Sequence, residues 1–267
     1  MQLKENHIVM DRRTFIKNAA MAAASTTVAA PVAAMVANES RTQIMEEHPL
    51  AAQEKKEERK LKVLMVNGSP RPDGNTFCAL KEMEGQLVHL GLDVEIIQIG
   101  RKPVRMCINC GGCHRNGSEG CVFDDDLCNT ISEKMSQADA LVVGSPVYYG
   151  QPNGGVLALM QRVFFSAGKN VQNKPAAAVA VCRRGGATAA LQTMNMMFEM
   201  MNMPVVTSQY WNIVYGMNKG EAKLDTEGMQ TMRTLATNMA WLLEKMHAGE
   251  ATAPEYEKDK KFMNFIR

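Results

Sequence analysis

Four of the seven cysteines fall in one short segment, as Cys107-x2-Cys110-x2-Cys113-x7-Cys121. Thiols at two-residue intervals can all be turned inward by one tight loop, and that repeated spacing occurs in iron–sulfur ligand runs. Four thiolates in tetrahedral array suit zinc as well as iron–sulfur chemistry. Disulfides are a third outcome if the chain resides in an oxidising compartment, although Cys-x2-Cys pairs in one short run are more often redox-active than structural. Gly111, Gly112 and Gly120 would let the backbone bend around sulfur. His114 lies inside the segment but is not needed as a ligand where four cysteines suffice.

Three loops carry the other residues with chemical potential. The first is Gly68-Ser69-Pro70-Arg71-Pro72-Asp73-Gly74-Asn75-Thr76. If a helix begins at its end, unpaired N–H groups and the positive end of the helix dipole could bind an anion. Ser69, Asn75 and Thr76 would add side-chain donors and Arg71 a charge. This is neither the dinucleotide fingerprint nor the P-loop, and an ordinary capped turn explains it equally well. The second loop, Ser145-Pro146-Val147-Tyr148-Tyr149-Gly150, pairs a rigid proline with adjacent tyrosines, as one wall of a pocket for a flat ring would. The third, Cys182-Arg183-Arg184-Gly185-Gly186, has two glycines that would admit a ligand close to the backbone. No catalytic acid or base stands out.

These loops need strands to present them. From residue 61 onward, apolar runs at 62–66, 94–99, 140–144, 176–181 and 204–208 alternate with stretches of helical period at 76–90, 127–137, 154–165, 187–202 and 227–246. That alternation predicts an α/β domain over 61–248: a doubly wound, five-stranded parallel sheet of flavodoxin-like type, with a cysteine-rich insertion at 103–123. All three loops leave predicted strand ends, where such sheets bind ligands. Met194, Met196, Met197, Met200, Met201 and Met203 read as core or interface packing rather than soft-metal ligands. Asp124-Asp125-Asp126 reads as the cap of the following helix.

The N-terminal 37 residues look like an address. Arg12-Arg13-Thr14-Phe15-Ile16-Lys17 precedes an alanine-rich run at 19–37, which resembles a twin-arginine signal for export of folded proteins. Ser25, Thr26, Thr27 and Pro31 make the run a poor membrane span. Cleavage after Ala34 or Ala37 fits, and the expected location is periplasmic or otherwise extracytoplasmic. A polar linker follows at 38–60, and a tail closes the chain at 249–267. Lys4, Arg12, Arg13 and Lys17 outnumber Glu5 and Asp11 by two; removing them from the 30 basic and 28 acidic side chains leaves 26 of each. That neutrality argues against nucleic acid as a partner.

Gly68-Ser69-Pro70-Arg71 with Gly74-Asn75-Thr76, followed by Gly144-Ser145-Pro146-Val147-Tyr148-Tyr149-Gly150, resembles the NADPH-dependent FMN reductase group. The cysteine segment resembles that of iron–sulfur flavoproteins, a branch of the same group. The resemblance implies that Ser69, Arg71, Asn75 and Thr76 hold the FMN phosphate. It also implies that Pro146, Val147, Tyr148, Tyr149 and Gly150 line the ribityl chain and ring, and that Arg183, Arg184, Gly185 and Gly186 approach the pyrimidine edge. Cys107, Cys110, Cys113 and Cys121 would ligate a [4Fe–4S] cluster. The implied activity is FMN-dependent electron transfer to a redox partner protein or a small acceptor, in a homo-oligomer (dimer or tetramer). The alternatives are an NAD(P)H-dependent FMN or quinone reductase with a structural zinc or disulfide loop, and a carrier without turnover.

Overall fold

Parallel strands covered by helices on both faces must be apolar on both faces, so they read as unbroken hydrophobic runs. β1 (Lys62–Asn67), β3 (Ala140–Tyr148) and β5 (Ala176–Cys182) have this character, and β5 is buried at every position. The computed structural model describes residues 59–115, 117, 120–248 and 254. Its five parallel strands run in the order β2-β1-β3-β5-β6, where β2 is Asp93–Gln98 and β6 is Ile213–Tyr215. A two-residue strand, β4 (Gln151–Pro152), folds back antiparallel on the end of β3. Among the described residues the α-helices are α1 (Asn75–His89), α2 (Gly112–Arg115), α3 (Cys128–Gln137), α4 (Gly154–Ala167) and α5 (Ala187–Met200) between strands, and α6 (Thr226–His247) after the last.

Because side chains alternate across a strand, each central strand feeds two cores. Val63, Met65, Val142 and Val179 meet Leu80, Met83 and Leu87 of α1 and Met232, Leu235 and Met239 of α6. Leu64, Val66, Leu141 and Val143 meet Ile131 of α3, Leu159 and Val163 of α4, and Leu191, Met194 and Phe198 of α5. Each such side chain contributes about 1.5–3 kcal/mol by leaving water.

The five expected helices lie within two residues of their expected bounds; β3 runs four residues past its expected end, through Ser145 to Tyr148, while the other three early strands follow expectation within one residue. The fifth does not. Residues 204–208 form no strand beyond one bridge, Ala176 to Val205. Backbone bonds from Ala176 N to the Pro204 carbonyl and from Val206 N to the Ala176 carbonyl hold that single rung. The chain then leaves the sheet edge and returns one turn later as β6, beside Ala180–Cys182. Ile213-Val214-Tyr215 is as rich in β-branched and aromatic residues as Val205-Val206-Thr207, so local preference alone does not choose between them.

The signal segment, the linker apart from Arg59 and Lys60, and the tail apart from Pro254 lie outside the described residues. Among the described residues, no helix is long and apolar enough to cross a membrane.

Candidate functional site

β1, β3 and β5 end side by side, and their loops surround a cavity of about 200 Å³. Ser69, Arg71, Asn75 and Thr76 from the first loop, Pro146, Val147 and Tyr148, which form the end of β3 rather than the expected loop, and Arg183 from the loop after β5 all line it. Tyr149, Gly150, Arg184, Gly185 and Gly186 do not line it. Of these, Gly186 packs against the Gly150 turn next to Tyr148.

The floor is set by a close crossing. Gly68 N donates to the Gly144 carbonyl at 2.7 Å, and a Cβ on Gly68 would stand 2.7 Å from that same oxygen. Ser69, 4% exposed, receives its shape from neighbours: its N–H donates to Asn67 Oδ1 at 3.1 Å, and its Oγ accepts from Arg71 N at 3.1 Å. The fully buried Asn67 donates to Gln98 Oε1, and Gln98 Nε2 donates to the Ser69 carbonyl. Asn67 and Gln98 are thus residues that sequence reasoning missed, one at the end of each adjacent strand.

At the start of α1 the first helical bond runs from Cys78 N to the Gly74 carbonyl. The N–H groups of Asn75, Thr76 and Phe77 therefore have no acceptor within the helix. No acidic residue occupies the first turn and no side chain caps it. This is the arrangement that accepts a phosphate. The side chain of Asn75, expected among the phosphate donors, is instead spent on protein: Nδ2 donates to the Asn218 carbonyl, and Oδ1 accepts from Gly220 N and Ala222 N. It fastens the loop after β6, whose Gly216, Met217 and Lys219 also line the cavity. That loop escaped sequence reasoning because the last strand was placed at 204–208, so 216–219 did not look like a strand end.

Tyr149 and Gly150 form the two-residue turn between β3 and β4, with φ of 51° and 76°. Positive φ at both positions is what a tight hairpin of this twist needs, and it is costly for a tyrosine. The Tyr149 ring stands wholly exposed, while Tyr148 lines the cavity. Gly186, with φ of 85°, packs against this turn: a Cβ there would lie 2.7 Å from Gly150 Cα. Cys182, at the end of β5, is buried beside the cavity, and burial pushes its thiol pKa up despite an N–H donated by Arg184.

The cysteine segment builds a second site against α4. Cys107, Cys110, Cys113 and Cys121 all line one pocket, with Arg162, Phe165 and Ser166 of α4 as its inner wall. All four are free thiols; Cys107 and Cys110 are exposed and Cys113 is buried. Asn109 and Gly111 take left-handed backbone conformations that turn the chain between the first three. Asn129 clamps the fourth, accepting from Cys121 N at 2.8 Å and donating to its carbonyl at 2.9 Å. The donor set, four unpaired thiols around one pocket, fits an S4-ligated centre. As they stand, no three of the His, Cys, Asp and Glu side chains among the described residues are arranged to hold a metal ion. His114 stacks edge-on against Phe165, with ring centres 4.8 Å apart.

Arg162 also escaped sequence reasoning, although a lone arginine in the apolar run of α4 is a visible signal. It is 2% exposed and ion-paired with Asp126. Its Nη1 donates to Asp126 and to the Arg105 carbonyl, and its Nη2 donates to Cys121 Sγ at 3.4 Å and to the Phe123 carbonyl at 3.2 Å. Burial works against its charge, but the bonds to Cys121 and Asp126 outweigh it and raise its pKa. The three aspartates serve this wall: Asp126 also accepts from Cys128 N, Asp125 pairs with Arg105, and Asp124 accepts from Asn129. Nearby Cys128 is an inert core thiol, its pKa pushed up to about 12 by burial.

Of the methionines in and just after α5, Met194 and Met203 are core, whereas Met196 and Met200 are exposed. The exposed pair borders an apolar groove with Phe165 and Cys107.

Strand order, with the ligand-sized cavity where the order reverses, defines a flavodoxin-like α/β protein. The family model for NADPH-dependent FMN reductase matches residues 61–218, so the chain belongs to that family and is a flavin-dependent oxidoreductase. It is 34% identical over 188 residues to an iron–sulfur flavoprotein of Methanocaldococcus jannaschii, covering 67% of this chain and 96% of the relative. An iron–sulfur flavoprotein of Methanosarcina thermophila is 30% identical over 190 residues, covering 69% and 96%. Among solved structures, RosB with bound 8-demethyl-8-formylriboflavin-5'-phosphate shares the fold at a TM-score of 0.53 and 15% identity, covering 78% of this chain and 95% of that one.

Proposed function

We propose that the protein is an exported oxidoreductase that passes electrons between FMN, a [4Fe–4S] cluster and a redox partner protein or small-molecule acceptor. The observation that carries this reading is the gathering of Cys107, Cys110, Cys113 and Cys121 around one pocket, walled by a buried guanidinium. The relatives named iron–sulfur flavoproteins support it. FMN, when bound, supplies the exchange of one or two electrons, and a cluster supplies one-electron exchange.

The chain's own residues do the rest. The free N–H groups at the start of α1 and the Arg71 side chain would hold the phosphate. Pro146, Val147 and Tyr148 would flank the ribityl chain and ring, while Arg183 and the backbone approaching Gly186 would meet the polar edge. The four cysteines would ligate iron. NAD(P)H is a possible donor on family grounds; the twin-arginine-like segment favours a partner outside the cytoplasm, where nicotinamide is scarce. Exposed Phe165, Met196 and Met200 supply apolar surface for self-association into the expected homo-oligomer.

A second reading, an NAD(P)H-dependent FMN or quinone reductase with a zinc or disulfide loop, draws on the same four free thiols, which suit S4-bound zinc or pairing as disulfides. Anaerobic purification followed by flavin, iron, acid-labile sulfide and zinc analysis separates the two. FMN with about four irons and four sulfides per chain is expected; FMN with zinc, or with oxidised cysteines and no iron, refutes the cluster. Immunodetection in cell fractions, with and without Arg12→Lys/Arg13→Lys, tests export.

A further inference from the structure

A buried charge is costly unless every element of it is used. Arg162 sits in the middle of an apolar helix, 2% exposed, and its Nε finds no partner at all. Its one carboxylate, Asp126, is likewise buried, and the pair is neutral overall. A helix-packing role would be met more cheaply by an apolar residue of similar volume. What an apolar side chain could not do is point the second arm of the guanidinium at sulfur. With Nη1 occupied by Asp126 and the Arg105 carbonyl, the fork is locked so that Nη2 faces Cys121 Sγ at 3.4 Å. Asp126 is itself fixed, since it also accepts from Cys128 N and Arg105 N. The remaining arginines of the segment are placed differently: Arg105 lies over the Phe123 ring and pairs with Asp125, and Arg115 donates to the Cys110 carbonyl.

We propose that Arg162 is a positioning residue for the cysteine-bound centre: held by Asp126, it donates an N–H···S hydrogen bond to Cys121 and thereby sets the centre's reduction potential. The inference rests on the iron–sulfur reading above. A thiolate ligand carries more negative charge when the centre is reduced, so a fixed N–H and a nearby positive charge stabilise the reduced form. Removing them lowers the potential. Lysine is no substitute, because a single ammonium on a shorter reach cannot hold Asp126 and the Arg105 carbonyl while also facing sulfur.

The test uses the anaerobically purified, iron-loaded protein in three forms: unaltered, Arg162→Lys, and the double variant Arg162→Gln/Asp126→Asn, which leaves no unpaired buried charge. Iron and sulfide per chain, the electron paramagnetic resonance signal of the reduced centre, and its midpoint potential are read in each. The expected result is full iron in the unaltered protein, with the reduction equilibrium shifted at least ten-fold toward the oxidised form in both variants. That is about 59 mV for a one-electron couple. An altered resonance signal should accompany the shift. Loss of iron from Arg162→Lys with an unchanged melting temperature also supports the proposal, since the Cys121 sulfur has then lost the N–H that positions it while Asn129 still holds its backbone. An unchanged potential and signal in either iron-loaded variant overturns it while leaving the cluster reading intact. Unaltered protein without iron overturns both.

Discussion

The rim of the flavin cavity depends on two glycines that look interchangeable in sequence and are not. Gly186 has φ of 85°, and a Cβ there would lie 2.7 Å from Gly150 Cα and 3.3 Å from Gly150 N. Both obstacles are backbone, so no side chain can swing aside. At Gly185 a Cβ would meet nothing within 4 Å. Gly186→Ala must therefore bear about 1–2 kcal/mol for a left-handed alanine and about 1–3 kcal/mol for overpacking, whereas Gly185→Ala should stay within about 0.5 kcal/mol of neutral. The clash has a functional reading as well. Gly150 closes the hairpin whose Val147 and Tyr148 line the cavity, so displacing that turn moves one wall away from the other. Urea denaturation of flavin-free protein should show Gly186→Ala destabilised by about 2–5 kcal/mol. Fluorescence titration with FMN should show its Kd raised at least ten-fold, about 1.4 kcal/mol. Equal stability and equal FMN affinity in the two variants would refute the argument that the 147–150 and 183–186 loops are in backbone contact.

Two other positions give separable expectations. Asn75→Ala removes three hydrogen bonds to the 218–222 loop and should cost about 1–3 kcal/mol in urea; an unchanged midpoint would show that the loop is held otherwise. Asp139 is mostly buried and takes Arg59 and the Lys62 N–H. Burial alone would raise its pKa, but those partners pull it below the ordinary carboxylate value. A depressed folded pKa means stability that is present above the unfolded value of about 3.9 and lost as pH falls through the folded one. Asp139→Asn should thus cost about 1–3 kcal/mol near neutrality and flatten the loss of stability below about pH 4, as measured by melting temperature against pH. A variant whose acid limb matches the parent's would exclude Asp139 as a source of it.

How much of this was legible beforehand depended on whether the signal was local. Apolar runs located β1, β2, β3 and β5, most plainly the central β1, β3 and β5, which have no polar side to confuse the reading, whereas the two-residue β4 gave no such run. The loops at 68–76 and 182–186 followed from those strand ends, whereas Ser145 to Tyr148 continue β3 and leave only Tyr149 and Gly150 as its turn. The sheet edge was another matter. At 204–215 two β-prone stretches compete for one edge, and the choice is made by pairing with β5, which has no trace in the local sequence. That one displacement hid Gly216, Met217 and Lys219 from the site. Asn67, Gln98 and Arg162 were hidden for a different reason. Each acts through a partner remote in sequence: Gln98 lies 31 residues from Asn67 and Asp126 lies 36 from Arg162. Asn75 illustrates the reverse case, a residue in the expected cavity whose side chain serves the wall.

Helix α4 ties the two sites together in one rigid element. Its first turn is fixed from the flavin side: Asn153 caps it by accepting from Gly155 N, and Asn153 N donates to Ser145 Oγ within β3. Nine residues on from Asn153, Arg162 forms part of the inner wall of the cysteine pocket, a rise of about 13 Å along the helix axis. Val156, Leu159 and Val163 lock the intervening turns into the core. A helix anchored at both ends and packed along its length cannot lengthen, so the spacing between the flavin rim and the cysteine pocket is set by a count of residues rather than by a hinge. In the proposed two-centre reading that spacing must stay constant, and the placement of Arg162 and the Asn153 cap on the same helix would keep it so.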